Sequence, residues 1–155
     1  MKTYRILVPT DFSDHSDAAL QLATSLAKDH MPAMIHLAYV EEAVVPYQDE
    51  ELGVFEPNQL IATAKLAHTE RDPQVPMETT IVHGQPAGEI LKFAMQHQVD
   101  LILMGTHGRT GLAHVLMGSV AEAVIRRSTC PVMTVKSFKS NPPQTRGAGL
   151  QSANQ

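Results

Sequence analysis

Only one cysteine, Cys130, occurs in the 155 residues, so no internal disulfide can staple the chain and any fold must rest on its own core. It stands in an apolar stretch before Pro131, the setting of a buried structural thiol rather than a reactive one. Basic charge is scarce: 12 Lys and Arg face 16 Asp and Glu, the formal net charge is −4, and there is no long Lys/Arg run. A nucleic-acid surface, which gains affinity by neutralising phosphates, is therefore not expected. No apolar run approaches the ~18 residues of a membrane-spanning helix. The start, Met1-Lys2-Thr3-Tyr4-Arg5, lacks the long apolar region of a signal peptide, so a cytoplasmic protein with no membrane partner is expected. Internal repeats are absent. The eight histidines are scattered, with no i, i+4 pair beside a carboxylate in the pattern of metal hydrolases, so no zinc site is expected. The eight methionines read as adaptable core filler.

What is present is an ordinary globular composition, 43% apolar and 18% charged, in a length that suits one domain. Five short apolar runs read as strands: Tyr4 to Val8, Ile35 to Val40, Met77 to Val82, Leu101 to Met104 and Val132 to Val135. Helical patterns alternate with them. Ala19, Leu22, Ala23, Leu26 and Ala27 follow Ser13 or Ser16 as cap, and Ala87, Ile90, Leu91, Ala94 and Met95 follow Pro86 at a first turn. A further helix is expected over roughly Asn58 to Arg71. Strands separated by helices are parallel with right-handed crossovers, and continuous apolar runs suit a sheet covered on both faces. The expectation is a single-domain, doubly wound, Rossmann-like α/β sandwich over residues 1–137, with a polar, flexible tail over 138–155. Glu41 to Pro57 reads as a long acidic loop, a solvated connection or a lid.

The chemistry concentrates after the fourth strand. Leu101-Ile102-Leu103-Met104 opens into Gly105-Thr106-His107-Gly108, and after nine further residues Gly118-Ser119 heads a helical pattern. Glycines let main-chain N–H groups approach anionic oxygens, and a helix start adds orphan donors and partial positive charge. Ser119-Val120-Ala121-Glu122 fits a capping box, and Arg126 and Arg127 suit the far end of that helix. At the same end of the sheet the first strand closes in Val8-Pro9-Thr10-Asp11-Phe12-Ser13. There Asp11 either caps a helix, as Ser13 could, or accepts hydrogen bonds from sugar hydroxyls.

These segments, together with Val82-His83-Gly84-Gln85-Pro86, Met104 to Gly111, Leu116 to Val120 and Cys130-Pro131-Val132-Met133-Thr134-Val135, resemble the universal stress protein family in its ATP-binding branch. The resemblance spans about residues 1 to 136, and family members that do not bind ATP usually lack the glycines. It implies a five-stranded sheet of order 3-2-1-4-5 and a homodimer formed through the last strand, Pro131 to Val135. It implies that Pro9, Thr10 and Asp11 line an adenosine pocket, with Asp11 near the ribose and Met104 and Tyr39 or Val40 against the base. Gly105 would meet the ribose, and Gly108, Arg109, Gly118, Ser119 and Val120 would hold phosphates bridged by Mg2+ or Mn2+. His107 lies on the same loop and could donate to a phosphate oxygen or simply face water.

Other chemistries fit less well. No Gly-Lys-Ser/Thr follows the glycines, as a P-loop requires, and Gly118 lies beyond dinucleotide-motif spacing. Asp11 lacks the companion acids of a phosphorylated receiver. No activated base is evident near the γ-phosphate position. The expected function is thus a nucleotide-dependent stress-response switch or sensor with slow or no hydrolysis; a slow ATPase and an ATP-independent dimeric interaction protein are the alternatives. An unidentified protein partner is expected in either binding role.

Overall fold

The computed structural model describes residues 2–42, 57–108 and 117–137. Nine elements alternate: β1 (Tyr4–Thr10), α1 (Asp14–Asp29), β2 (Ala33–Glu41), α2 (Pro57–Ala67), β3 (Met77–His83), α3 (Pro86–Gln96), β4 (Leu101–Gly105), α4 (Ser119–Arg127) and β5 (Val132–Val135). The strands form one parallel sheet in the order β3-β2-β1-β4-β5. The doubly wound, five-stranded architecture expected from the alternation is the one observed. The second helix ends at Ala67, earlier than its apolar pattern suggests, and β2 runs on to Glu41.

Strand side chains alternate between two cores. Ile6, Val8, Ile35, Leu37, Leu101 and Leu103 pack with Ala19, Ala23 and Ala27 of α1 and Leu66 of α2. Leu7, Ala38, Ile102 and Met104 pack on the other face with Ile90, Phe93 and Ala94 of α3 and Val124 of α4. Both faces are covered, which is why Ile6, Leu7 and Val8 of β1 and Leu101, Ile102, Leu103 and Met104 of β4 form continuous apolar runs, whereas the edge strand β3 carries Glu78, Thr79 and Thr80. The alanine stripe of α1 leaves little side-chain thickness between helix and sheet, and all three alanines are fully buried.

Local chemistry sets the helix starts. Ser13 is the N-cap of α1, its Oγ accepting from the Ser16 amide at 3.3 Å, and Gln85 caps α3 through an Oε1 contact of 2.7 Å to the Gly88 amide, with Pro86 in the first turn. The capping box expected at Ser119 does not form. Gly118 is the N-cap of α4 and Ser119 the first helical residue; the Glu122 side chain turns instead to Arg126 at 3.4 Å. Methionine serves the core only in part: Met104 is buried, whereas Met31, Met95 and Met133 are exposed. Cys130 is half-buried rather than enclosed, and its amide donates to Ser128 Oγ at 3.2 Å.

Candidate functional site

With β1 and β4 adjacent, their following helices leave to opposite faces of the sheet, the arrangement that opens a crevice at the strands' carboxyl ends. Pairing shows where the crevice begins. Registered partners between β1 and β4 are only Ile6↔Leu101 and Leu7↔Ile102, while β1 stays paired with β2 as far as Thr10↔Tyr39. Beyond Leu7 the two central strands part, and Pro9, having no N–H, leaves no donor orphaned there. A cavity of about 520 Å3 occupies the gap. That lies in the ordinary range for small-molecule sites, ~300–1,000 Å3.

All the candidate residues inside the described segments line this one cavity: Pro9, Thr10, Asp11, Tyr39, Val40, Met104, Gly105, His107, Gly108, Gly118, Ser119 and Val120. Arg109 lies outside the described residues, as do Gly111, His114 and the tail. Most of the Glu41–Pro57 loop, residues 43–56, lies outside them too.

The first wall is the turn after β1. Thr10 Oγ1 accepts from the Phe12 amide at 3.0 Å and donates to Ser16 Oγ at 3.1 Å, so its hydroxyl is a turn scaffold. Asp11 Oδ1 accepts from the Ser13 amide at 3.1 Å, an Asx-turn, while Ser13 does the capping. Phe12 takes φ 62°, left-handed backbone that an aromatic residue rarely adopts. Its ring meets Tyr39 at 5.0 Å between centroids, with Lys65 Nζ 5.0 Å above it. The bulk of Tyr39 is therefore spent on Phe12, on the α1/α2 side of the sheet, and Val40 packs on the opposite side.

The second wall is the loop after β4 and the head of α4. The glycines there do different work. A Cβ at Gly105 would lie 2.7 Å from His15 Cβ and 2.9 Å from the His15 carbonyl carbon, so this glycine lets the first turn of α1 close on β4. A Cβ at Gly108 would sit 2.9 Å from Asp11 Oδ2, which brings the two walls together. Gly118 is unlike both: its φ is −71°, any residue's conformation, and a Cβ would meet nothing closer than Thr106 O at 3.4 Å. Its amide donates to Thr106 O at 2.7 Å, tying the helix head to the loop. As a glycine N-cap it offers no side-chain oxygen to the first-turn amides of Ser119, Val120 and Ala121, all of which line the cavity.

His107 Nδ1 lies 3.0 Å from Thr106 Oγ1, and its ring is 5.4 Å from that of His15. His15 Nδ1 accepts from the Ser137 amide at 2.9 Å, so the proton of its neutral form sits on Nε2. Carboxylates are the only full charges among the described lining residues: Asp11, Glu41 and Glu42 contribute, and no lysine or arginine does. Sequence reasoning missed Glu41 and Glu42 along with Ser16, Ala38, Pro86, Ile90, Thr106 and Ala121. Ala38 could have been found, because it precedes Tyr39 and Val40 on the face occupied by Met104. Glu41 gave no such signal, since a glutamate at a strand end reads as the start of a loop.

Sheet order, crossover pattern and the crevice at the switch point define a Rossmann-like α/β sandwich with its candidate site between β1 and β4. The chain belongs to the universal stress protein family, which it matches over residues 3–136. It is 37% identical over 145 residues to universal stress protein MJ0531 of Methanocaldococcus jannaschii, covering 87% of this chain and 83% of that one. The solved structure of MJ0577 from the same organism superposes with a TM-score of 0.73 at 31% identity, over 90% of this chain and all of that one. A universal stress protein solved in complex with cAMP gives a TM-score of 0.60 at 26% identity, over 88% of this chain and 98% of that one.

Proposed function

We propose that this universal stress protein binds ATP in the β1/β4 cavity and serves as a nucleotide-dependent stress-response switch or sensor, with slow or no hydrolysis. The observation that carries the reading is the second wall: an uncapped helix head and a glycine loop, joined by the Gly118–Thr106 hydrogen bond, border one cavity with the carboxyl ends of β1 and β2. Amides at such a helix head suit phosphate oxygens. The cAMP complex of a relative supports a nucleotide as the ligand class. Arg109 would add a cation to the phosphate end.

The chain's own contribution is positional. Gly108 and the α4 amides hold phosphate, and Asp11 accepts from ribose hydroxyls. Val40 and Met104 offer apolar surface to the base. Among the described residues no group of three His, Cys, Asp or Glu is placed to hold a metal ion. Mg2+ or Mn2+, which offsets phosphate charge when bound, would therefore travel with the nucleotide rather than sit in a side-chain cage. Among the described residues no helix is long and apolar enough to cross a membrane, and a cytoplasmic homodimer formed through β5 completes the reading.

Calorimetric titration with ATP and Mg2+ tests it. The native protein should bind with micromolar or tighter affinity. Gly118→Val, which fills the space between helix head and loop without a forbidden φ, should abolish binding while the fold persists. A folded valine variant that binds ATP as the native protein does would sink the assignment.

A further inference from the structure

Where the chain leaves the sheet, it is held by a histidine. Beyond β5 the Ser137 amide donates to His15 Nδ1 at 2.9 Å, a partly buried bond that joins residues 122 apart in the sequence. Two residues earlier, Val135 O accepts from the Thr106 amide at 2.9 Å, which ties the same exit to the loop after β4. The His15 backbone packs against Gly105, and its ring lies 5.4 Å from that of His107. One imidazole thus joins three segments: the first turn of α1, the loop after β4 and the exit from β5.

This bond exists in one protonation state only. Nδ1 accepts an N–H through its lone pair, a proton on that nitrogen occupies the lone pair, and a backbone amide cannot turn round to accept from it. Other histidines differ. Nδ1 of His30, His68 and His97 faces the carbonyl oxygen four residues back, that of Leu26, Ala64 and Phe93, at 2.9, 2.8 and 3.0 Å. A carbonyl suits an Nδ1–H, so those contacts persist when the ring is charged. His107 Nδ1 meets the Thr106 hydroxyl, which can donate or accept. At His15 the partner is a donor, and charging Nδ1 breaks the bond.

The titratable groups on the elements packed around the ring are His107 on the loop after β4, Asp11 on the turn after β1, Asp14 and Asp17 on α1 itself, and Lys136 beside Ser137. The residues that β4 and β5 turn toward α1, Leu103 and Val135 among them, are apolar. These charged groups set where the ring titrates but leave the exclusion at Nδ1 intact. We propose that His15 is a proton-sensitive latch on the exit from the sheet: neutral, it holds Ser137 to the first turn of α1, and charged, it releases Ser137 and the course the chain takes from there. The latch involves no nucleotide, so its test stands apart from the reading of the cavity.

NMR on the full chain tests it across about pH 8 to 5, the range in which histidines change charge, by following two signals. The ring nitrogen shifts of His15 report its charge, and exchange of the Ser137 amide relative to its intrinsic rate reports the latch. Protection should be present while the ring is neutral and fall by up to about tenfold per pH unit as the ring charges, one proton being linked to the opening. His15→Asn, whose Oδ1 can take the place of Nδ1 without titrating, should keep the protection and make it independent of pH. His15→Ala should lose it at every pH, and the asparagine variant decides the matter should the alanine variant not fold. A Ser137 amide without protection at about pH 8, protection that holds while the His15 ring charges, or a ring still neutral at about pH 5 would each overturn the proposal. So would a pH dependence that survives in His15→Asn, or one that disappears in His107→Gln while the His15 ring still charges, since either would place the switch elsewhere.

Discussion

Gly105 and Gly118 look alike in the sequence, but the structure gives them opposite sensitivities to the same methyl group. At Gly105 an added Cβ would fall 2.7 Å from His15 Cβ and 2.9 Å from the His15 carbonyl carbon, where carbon atoms in contact want ~3.5–4.0 Å. The obstacle is the backbone of α1, which cannot swing aside like a side-chain tip. Overpacking of this kind costs about 1–3 kcal/mol, and removing glycine's freedom from the unfolded chain returns about 0.4–1 kcal/mol. The net expectation for Gly105→Ala is a loss of about 1–2 kcal/mol, or a Tm lower by ~2–8 °C in a domain of this size. At Gly118 the nearest atom to an added Cβ is 3.4 Å away and φ is −71°. Alanine's poorer capping and the entropic gain nearly cancel there, so Gly118→Ala should change stability by less than about 0.5 kcal/mol. Urea and thermal unfolding at one fixed protein concentration measure both, and ATP titration of each folded variant completes the comparison. Gly118→Ala should lose affinity without losing stability, and Gly105→Ala the reverse. Equal destabilisation by the two substitutions, or a Gly105→Ala melt indistinguishable from the native one, would refute the division of roles.

Three further outcomes are expected. Buried His36, with Nε2 unpartnered, Glu78 Oε2 3.4 Å from Nδ1, and Phe93, His97 and Arg5 around it, has its pKa lowered mainly by burial, against the pull of Glu78 and with help from His97 and Arg5. The neutral form is the native one, so its stability contribution is complete above the unfolded value of ~6.5 and falls, by at most about 1.4 kcal/mol per pH unit, as pH drops from there toward the lower folded pKa; urea unfolding should show a shallower decline for His36→Leu, and identical slopes would contradict this. For the proposed dimer, Pro131 O accepts from the amide of Ile102 on β4 and Val135 O from that of Thr106 just beyond it, so strand alternation turns the Met133 backbone groups toward β4 as well and leaves those of Val132 and Thr134 facing the free edge. Thr134→Pro, not Met133→Pro, is therefore the substitution that should convert dimer to monomer in sedimentation, and native protein sedimenting as a monomer at micromolar concentration would defeat the assembly. ATP turnover should stay below about one per second with excess Mg2+, an ordinary enzyme rate being faster; a faster rate that disappears in His107→Ala while ATP binding persists would make this an enzyme rather than a switch.

Helices were legible from their apolar period, and the strands from short continuous apolar runs that suit a sheet covered on both faces. The cavity was legible for a related reason: glycines after β4 and the Pro9–Asp11 turn after β1 are placed by the topology at one edge of the sheet, and topology follows from the alternation alone. Individual roles were not legible, because they depend on what stands opposite. Nothing within the Gly105–Gly108 segment says that Gly105 faces His15, 90 residues earlier, or that Gly108 faces Asp11. The same limit explains the mistaken capping box: Ser119 and Glu122 have the right spacing, but the Gly118 amide is drawn to Thr106 O, and the helix starts one residue sooner than a serine cap would start it.

Glu41 carries the point furthest. As a sequence feature it is one acid among several at the head of a loop, and solvation is the natural reading. Three contacts that no local pattern encodes change it: β2 stays in register with β3 through Glu41↔His83, the Gly84 amide closes on the Glu41 carbonyl, and His83 Nδ1 stands 3.3 Å from the buried carboxylate. The wall that would hold phosphate is made of backbone amides, which any sequence with glycines in these places can supply. The opposite end is lined by residues 38–42 of the β2 terminus, whose places follow from register and not from any local motif. If the proposed site holds a phosphate chain at the head of α4, Gly118→Val should weaken ATP, ITP and GTP alike in calorimetry, because the three share that chain, and loss of one nucleotide without the others would contradict it.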